Sequence, residues 1–348
     1  MKEPVKQILM IGPLPPPVGG ARVLFHNTVE YMETLDGIDL KVIPLWNRNS
    51  PMALKLLAAI RILIQVLFIG RRFEVISFWS SKSGMLYFSP LMRIASSILN
   101  KPLVFRLFGI GFDKPINELT LFNRILARFF FLSGDLILLE TQIAVDLMKA
   151  EFPTANIAIH KNYRKVPGIE IMPRRQCRRF IYLGKIRKNK GILEIIEAAE
   201  SLNTQNIIVD IYGPFEGDLS KDIFDNCRIV KYCGIIEPDN VADILNNYHA
   251  LLLPTFYEGE GHPGAILEAY ASGLPVITSN WQAIVEIVDG SSGILISPGN
   301  VESLRDAMIK LINGPDFYQK LIRGALKKRQ EFSLISGVER FLTYCNDL

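Results

Sequence analysis

Short apolar segments alternate with longer helical stretches along both halves of the chain, and this rhythm restricts the fold more than any other feature. Successive parallel strands need a crossover connection, usually a helix, so the alternation predicts parallel sheets covered by helices. In the first half, the predicted strands span residues 7–11, 40–44, 75–78, 103–107 and 136–139. In the second half, they span residues 179–183, 207–212, 229–233, 250–253 and 275–278. The sequence therefore predicts an α/β protein with two doubly wound, Rossmann-like sheets.

The length of the chain predicts two domains. Its 348 residues exceed the roughly 250 to 300 residues at which a single hydrophobic core stops growing. A polar, basic stretch at 161–178, with prolines and several arginines, interrupts the rhythm and is predicted to be the linker. We predict an amino-terminal domain at 1–165 and a carboxy-terminal domain at 166–334, with a helix at about 335–348 packing back on the first. The strand ends of the two domains would face each other across a cleft.

Composition excludes several classes of protein. Hydrophobic residues make up 49% of the chain and charged residues 21%, which rules out a largely disordered or fibrous chain. The four cysteines are too sparse for a disulfide scaffold, and none forms a C-x-x-C pair. Residues 1–6 lack the pattern of a signal peptide, so the protein is predicted to remain in the cytoplasm.

Positive charge is concentrated in the first half. Residues 1–165 carry 20 basic and 12 acidic side chains, against 19 and 23 in the remainder. Between residues 41 and 128, 13 basic residues face three acidic ones. Such a field suits an anionic partner, either a membrane surface or a phosphate-bearing substrate, and we predict no nucleic-acid partner.

One strongly apolar segment, residues 52–70, lies within this basic region. Lys55, Arg61 and Gln65 interrupt it, and a spanning helix needs about 20 predominantly apolar residues. Two interpretations remain: a buried core helix, which composition favours, or a helix in the membrane interface, which the flanking Arg71 and Arg72 support.

The segment from Pro254 to Ile277 carries the strongest chemical pattern. A glycine-rich loop follows an apolar strand, Pro263 suits the first turn of a helix, and Gly273 suits its end. Glu260 is thereby placed in the loop and Glu268 on the helix. A helix-borne carboxylate can accept hydrogen bonds from ribose hydroxyls, while the N–H groups at a helix start cradle phosphate. The alternative, a solvated surface carboxylate, is the usual state of a glutamate.

This segment resembles the motif of glycosyltransferase family 4, retaining enzymes of the GT-B fold whose two glutamates are separated by seven residues. Glu260 and Glu268 have that spacing. The resemblance implies two facing Rossmann-like domains, with Glu268 binding the nucleotide ribose and Glu260 beside the donor sugar. It also implies donor contacts from the loop and helix start, and we assign these to His262, Pro263, Gly264 and Ala265.

A second loop resembles the donor-diphosphate loop of the same family. It runs from Gly184 to Gly191, and the family's usual arginine and lysine fall on Lys185 and Lys190. Two cations stabilise the charge that develops on a departing nucleoside diphosphate, so no metal ion or other cofactor is predicted. Lys185 departs from the family, which usually has arginine at this position, and Arg187 could bind the diphosphate in its place. The alternative is that this basic run forms a solvated turn.

Weaker signals complete the resemblance. Gly213, Gly234 and Ile236 follow strands of the second half, in loops that hold the nucleotide base in relatives. In the first half, Gly19 and Gly20 resemble the family's glycine loop. The loop of residues 106–111 resembles the place of a sugar-contacting histidine, but Phe108 stands there, before Gly109, and no catalytic histidine is carried over.

The resemblance implies a retaining transferase that moves a sugar from a nucleoside diphosphate sugar to an acceptor hydroxyl. The basic, apolar first domain points to a glycan or lipid-linked acceptor, as in bacterial surface polysaccharide or glycolipid assembly, with possible peripheral membrane association. A nucleotide-sugar epimerase of the same fold and a non-catalytic binding module stay open. No D-x-D, phosphate-loop or G-x-S-x-G motif occurs in the chain.

Overall fold

The chain divides into two compact units. The computed structural model describes residues 7–16, 19–45, 52–109, 116–128, 132–172, 174–203, 205–217 and 219–348. One unit contains Met1–Asn162 and Leu334–Leu348, and the other contains Tyr163–Ser333. The sequence placed this boundary after residue 165 and grouped the last helix with the first domain. Residues 1–6, on which the absence of a signal peptide was argued, lie outside the described residues.

The first unit contains a six-stranded parallel sheet in the order β2-β1-β3-β4-β5-β6. Its strands are Gln7–Gly12 (β1), Asp39–Pro44 (β2), Val75–Ser81 (β3), Leu103–Phe108 (β4), Leu136–Leu139 (β5) and Ile157–Ile159 (β6). Its helices are Gly20–Glu33 (α1), Met52–Ile69 (α2), Lys82–Leu99 (α3), Leu121–Leu126 (α4), Gln142–Glu151 (α5) and Leu334–Asn346 (α11). The central strands are near-continuous apolar runs because helices cover both faces of the sheet.

A buried aromatic cluster centres on Trp79 of β3. The Trp79 ring contacts Phe25 of α1 and Phe341 of α11 at centroid distances of 5.5 and 5.3 Å. His160 lies beside them, with Nε2 3.0 Å from the carbonyl oxygen of Gly337. Burial, and then the positive charge of Arg106, lowers the pKa of His160 to about 3. The last helix is therefore an integral part of the first unit's core.

The apolar segment at 52–70 forms α2, which is buried on one face only. The residues that point into the core are Ala58, Ile62 and Val66. Phe68, on the opposite face, is 84% exposed. The interpretation of this segment as a buried core helix therefore holds for one face of α2 and not for the other. None of the helices in the described residues has the length and apolarity needed to cross a membrane.

The second unit contains another six-stranded parallel sheet, in the order β12-β11-β10-β7-β8-β9. Its strands are Arg179–Leu183 (β7), Ile208–Tyr212 (β8), Val230–Tyr232 (β9), Ala250–Leu253 (β10), Val276–Ser279 (β11) and Gly293–Ile296 (β12). Its helices are Ile192–Glu200 (α6), Val241–Leu245 (α7), Gly264–Ala271 (α8), Val301–Asn313 (α9) and Pro315–Glu331 (α10). The predicted doubly wound α/β architecture is confirmed in both units.

Most of the predicted linker belongs to the second unit, which begins at Tyr163, and it packs against that unit. Arg174 is 7% exposed, and its Nε donates to the carbonyl oxygen of Tyr248 at 2.7 Å. The backbone N–H of Met172 donates to Oδ1 of Asn246 at 3.1 Å. Arg174 is buried because its guanidinium group donates to carbonyl oxygens just past the end of α7. Its position in an arginine-rich stretch of sequence does not predict this contact.

Candidate functional site

A glycine lies just after each of three neighbouring strands of the second sheet. The N–H of Gly184, after β7, donates to the carbonyl oxygen of Tyr212 at 3.0 Å. The N–H of Gly213, after β8, donates to the carbonyl oxygen of Gly234, after β9, at 2.8 Å. All three have positive φ values: 153° at Gly184, 145° at Gly213 and 92° at Gly234. The glycines thus let the three loops pack closely at the carboxyl edge of the sheet, where α/β proteins bind ligands.

Gly213 tolerates no side chain. A Cβ atom built there would lie 1.8 Å from the carbonyl oxygen of Gly184. Ile236, two residues beyond Gly234, is half-buried. The structure brings the two predicted base-contacting loops together, and their contact with a base stays a prediction.

We expect Gly213→Ala to destabilise the second unit by about 3 kcal/mol or more, because it adds a steric clash to the strain of a positive φ. Gly217→Ala is the matched control, since φ is also positive there (88°) but a Cβ would meet nothing within 4 Å. Its expected cost is about 1 kcal/mol. Denaturant unfolding measures both free energies, and equal losses would contradict the steric argument.

The loop from Gly184 to Gly191 packs against the end of β10. Gly191 has φ of 78°, and a Cβ atom there would lie 2.4 Å from the carbonyl oxygen of Pro254. The N–H of Phe256 donates to the carbonyl oxygen of Asn189 at 2.9 Å. These close backbone contacts hold Lys190 beside the loop that carries Glu260.

Lys190 and Glu260 form a buried ion pair. Their side chains are 14% and 9% exposed, and Nζ of Lys190 donates to Oε2 of Glu260. The Thr255 hydroxyl donates to the same carboxylate oxygen at 2.8 Å. Burial, and then the negative charge of Glu260, raises the pKa of Tyr182. The sequence assigned Lys190 and Glu260 to different parts of a donor, and the structure shows that they are direct partners.

Arg187 and Lys190 share one aromatic ring. The Arg187 Cζ and the Lys190 Nζ each lie 5.0 Å from the centroid of the Tyr257 ring. The Trp281 Nε1 donates to the carbonyl oxygen of Tyr257 at 2.9 Å, which fixes this part of the loop. Cation–π contact is one of the ways to hold two cations close together.

Lys185 pairs with a different carboxylate from the one that Lys190 contacts. Its Nζ lies 2.8 Å from Oε2 of Glu216, and its side chain is 59% exposed. The hydrogen bond from Lys185 lowers the pKa of Glu216 below its usual value. Arg187 lies 4.0 Å from the same carboxylate oxygen and is less exposed than Lys185. Of the two residues between which the sequence left the diphosphate role open, Arg187 is the one beside Lys190.

The helix α8 begins at Gly264, and Pro263 occupies the position before its first residue rather than its first turn. A Cβ atom on Gly264 would lie 2.1 Å from Nη2 of Arg164. A guanidinium group therefore covers the start of α8, where the helix dipole and the unpaired N–H groups favour an anion. Ala265, the next residue, belongs to the same first turn.

Arg164 also pairs with Glu268, and sequence reasoning missed it. Its Nε lies 3.1 Å from Oε1 of Glu268, with the two side chains 7% and 25% exposed. Its Nη1 donates to the carbonyl oxygen of Tyr163 at 2.9 Å. Arg164 lies in the stretch predicted to be a linker, and no spacing pattern distinguishes it from the other arginines there.

His262 packs inside the glutamate loop. Its side chain is fully buried, and Nε2 lies 3.2 Å from Oε2 of Glu286. That contact ties the loop to the turn at Gln282–Glu286. The predicted contact between His262 and a phosphate or sugar stays a prediction.

The predicted residues of the first unit lie at the start of α1 and at the end of β4. Gly19 precedes α1 with an extended backbone, and Gly20 is its first residue. Gly109 has φ of 79°, and its N–H donates to Oε2 of Glu140 at 2.7 Å. Phe108 is buried, with its ring 5.8 Å from that of Trp79, so it packs in the core rather than presenting a sugar-binding surface. Residues 17, 18, 110 and 111 of these two loops lie outside the described residues.

Metal-ligating side chains do not converge in the part of the chain that the structure describes. No group of three or more His, Cys, Asp or Glu side chains there could hold a metal ion. The site is therefore described by its two buried ion pairs, its glycine-lined strand ends and the start of α8.

Part of the second unit is similar to known proteins. Residues 177–314 match the family model described as glycosyl transferases group 1. The capsular polysaccharide biosynthesis glycosyltransferase CapM of Staphylococcus aureus is 29% identical over 138 residues, which is 38% of this chain and 36% of CapM. The O-antigen chain mannosyltransferase B of Escherichia coli is 23% identical over 161 residues, which is 44% of this chain and 42% of that protein. The matched segments thus span less than half of these curated relatives.

Solved structures extend the similarity in fold to both units. The crystal structure of Anabaena HepE in complex with UDP superimposes with a TM-score of 0.74, at 17% identity, over 98% of this chain and 100% of HepE. Such a likeness establishes the GT-B fold.

Proposed function

We propose that this chain, whose residues 177–314 belong to the group 1 glycosyltransferases, transfers a sugar from a nucleoside diphosphate sugar to an acceptor hydroxyl with retention of configuration. One observation carries the proposal: two glutamates eight positions apart, Glu260 and Glu268, each pair with a buried cation on either side of the start of α8. Carboxylates held in this way by Lys190 and Arg164 have fixed positions from which to contact a bound donor.

Each residue then has a defined role. Glu268 accepts hydrogen bonds from the ribose hydroxyls, and the N–H groups of Gly264 and Ala265 bind phosphate. Lys190 and Arg187 stabilise the negative charge that the leaving diphosphate gains. With positive charge supplied by side chains, the proposed reaction needs no metal ion.

Sugar transfer breaks one bond and forms another. The bond between the anomeric carbon and the diphosphate oxygen breaks, and its electron pair stays on the diphosphate. The acceptor oxygen forms the new bond on the same face of the sugar, and its proton passes to a diphosphate oxygen. Glu260, bonded to Lys190 and Thr255, lies beside the donor sugar in this arrangement.

The relatives support a role in bacterial surface polysaccharide or glycolipid assembly. CapM is named for capsular polysaccharide biosynthesis, and AmsK of Erwinia amylovora for amylovoran biosynthesis. We propose a glycan or lipid-linked acceptor that is bound by the first unit. We also propose that the protein associates with the inner face of the cell membrane, because the first half of the chain has an excess of basic residues.

The proposal predicts that Glu268→Gln weakens binding of UDP, chosen as the probe because HepE structures contain it. We expect the dissociation constant to rise about tenfold to a hundredfold, since hydrogen bonds to a charged group are worth about 1.5–3 kcal/mol. Titration calorimetry measures this. Glu258→Gln, in the exposed part of the same loop, is the matched control and should bind as the wild type does.

Product analysis separates transfer from the other activities of this fold. Incubation with a nucleotide sugar alone should give no free sugar isomer, whereas an epimerase would release one. Transfer to an added glycan or lipid-linked acceptor should give a product with the donor's anomeric configuration. A protein that binds nucleotide but supports no transfer to any acceptor would contradict the proposal.

A further inference from the structure

The outer surface of α2 is apolar although it faces away from the core. Four large side chains at helical spacing are exposed there: Leu57, Ile60, Ile64 and Phe68. The opposite side of the same helix is buried in the first unit, so α2 is apolar on both faces. An exposed apolar stripe of this kind marks an interaction surface.

Two further helices extend this surface. On α3, the exposed large apolar side chains are Tyr87, Ile94 and Ile98. On α4, they are Leu121, Phe122 and Ile125. We call these ten residues of α2, α3 and α4 the outer apolar face. They make up ten of the nineteen strongly exposed large apolar side chains in the described residues, so the exposure is concentrated there.

The three helices lie on one side of the sheet. The connections from β2 to β3, β3 to β4 and β4 to β5 all step in the same direction across the sheet order. Right-handed crossovers place such helices on the same face. In agreement with this, α2 packs against α3, and α3 packs against α4.

The charged side chains on these three helices are all basic. The sequences of α2, α3 and α4 contain no Asp or Glu, whereas their basic residues are Lys55, Arg61, Lys82, Arg93 and Arg124. Arg71 and Arg72 directly follow α2. Two of these cations have carboxylate partners outside the three helices, Arg72 with Asp39 and Arg93 with Asp135, and the net charge of the helices themselves is positive. Apolar side chains interspersed with cations, on helices without carboxylates, are complementary to an anionic lipid surface.

We propose that the outer apolar face docks on an anionic lipid bilayer, with the three helices lying in its interface. A second copy of the chain fits less well, because a symmetric contact would bring together two sets of helices whose charged side chains are all basic. Phe68, Tyr87 and Phe122 have the aromatic character that suits the boundary between water and lipid. The inference rests on the proposed function for the membrane-borne acceptor, but its test does not depend on catalysis.

Vesicle cosedimentation of the full chain tests this. The wild type should sediment with phosphatidylglycerol vesicles, more weakly at high salt, and much less with phosphatidylcholine vesicles. The double variant Ile64→Glu/Phe68→Glu should lose at least about tenfold in partition, because it replaces two apolar side chains that would be buried in the bilayer with charged ones. Ile335→Glu, an exposed position on α11, is the matched control and should sediment normally.

Two outcomes would overturn the proposal. One is a double variant that sediments with vesicles as the wild type does. The other is a wild type that does not sediment with phosphatidylglycerol vesicles. If that protein forms a dimer in analytical ultracentrifugation and the double variant dissociates it, the outer apolar face is an interface between two copies of the chain. UDP affinity, measured on the same samples, is expected to be unchanged by these substitutions. Loss of UDP binding in the wild type would instead count against the proposed function alone.

Discussion

Replacing Lys190 by alanine is expected to lower the rate of sugar transfer about a hundredfold to a thousandfold. Removal of one preorganised group that stabilises developing negative charge has an effect of this size in other enzymes. Contacts with Glu260 and with the Tyr257 ring hold the Lys190 ammonium group in place, which is the preorganisation that this effect requires. Steady-state kinetics with a nucleotide sugar and an acceptor measures the loss. Lys188→Ala, an exposed lysine in the same turn, is the control.

The same substitution also affects folding, because it leaves Glu260 buried without its cation. Breaking a buried pair in this way costs about 3–5 kcal/mol. The double variant Lys190→Ala/Glu260→Gln removes the uncompensated charge. We expect it to recover much of the thermal stability that the single variant loses, while transfer stays low. Recovery of normal transfer by the double variant would show that Lys190 acts only on stability.

Replacing Arg164 by alanine is expected to raise the dissociation constant of UDP about tenfold. Arg164 fixes one oxygen of Glu268 and lies against Gly264, so its loss frees the carboxylate and removes positive charge from the start of α8. Arg164 is thus a positioning residue for Glu268. Arg164→Lys should recover little, because an ammonium group cannot reproduce the fork that bonds both Glu268 and the Tyr163 carbonyl oxygen.

Kinetics distinguishes positioning from a purely structural role. The KM for the nucleotide sugar should rise more than kcat falls, because Glu268 contacts the nucleotide and not the reacting bond. Arg323→Ala, on the exposed side of α10, is the control for loss of an arginine. A lowered melting temperature with unchanged UDP affinity would assign Arg164 to the fold alone.

Local sequence was sufficient for the central strands. Leu103–Phe108 and Ala250–Leu253 are buried along their whole length, and apart from Arg106 they are the apolar runs that a doubly covered parallel sheet requires. The sequence missed Ile157–Ile159 and Gly293–Ile296, which are the edge strands β6 and β12. Both are short and only partly buried, so they lack a run long enough to be distinguished from a loop.

The amino-acid sequence by itself determined the two α/β units, the glutamate spacing and the loop chemistry, because hydrophobic periodicity and turn residues act over a few positions along the chain. Only the tertiary structure decided which residues form ion pairs with each other. It joined Lys190 to Glu260 and Arg164 to Glu268, pairs that are separated by 70 and 104 positions. It also left the outer faces of α2, α3 and α4 exposed. Ion pairing and burial depend on which elements the packed sheets bring together, and no local pattern encodes that.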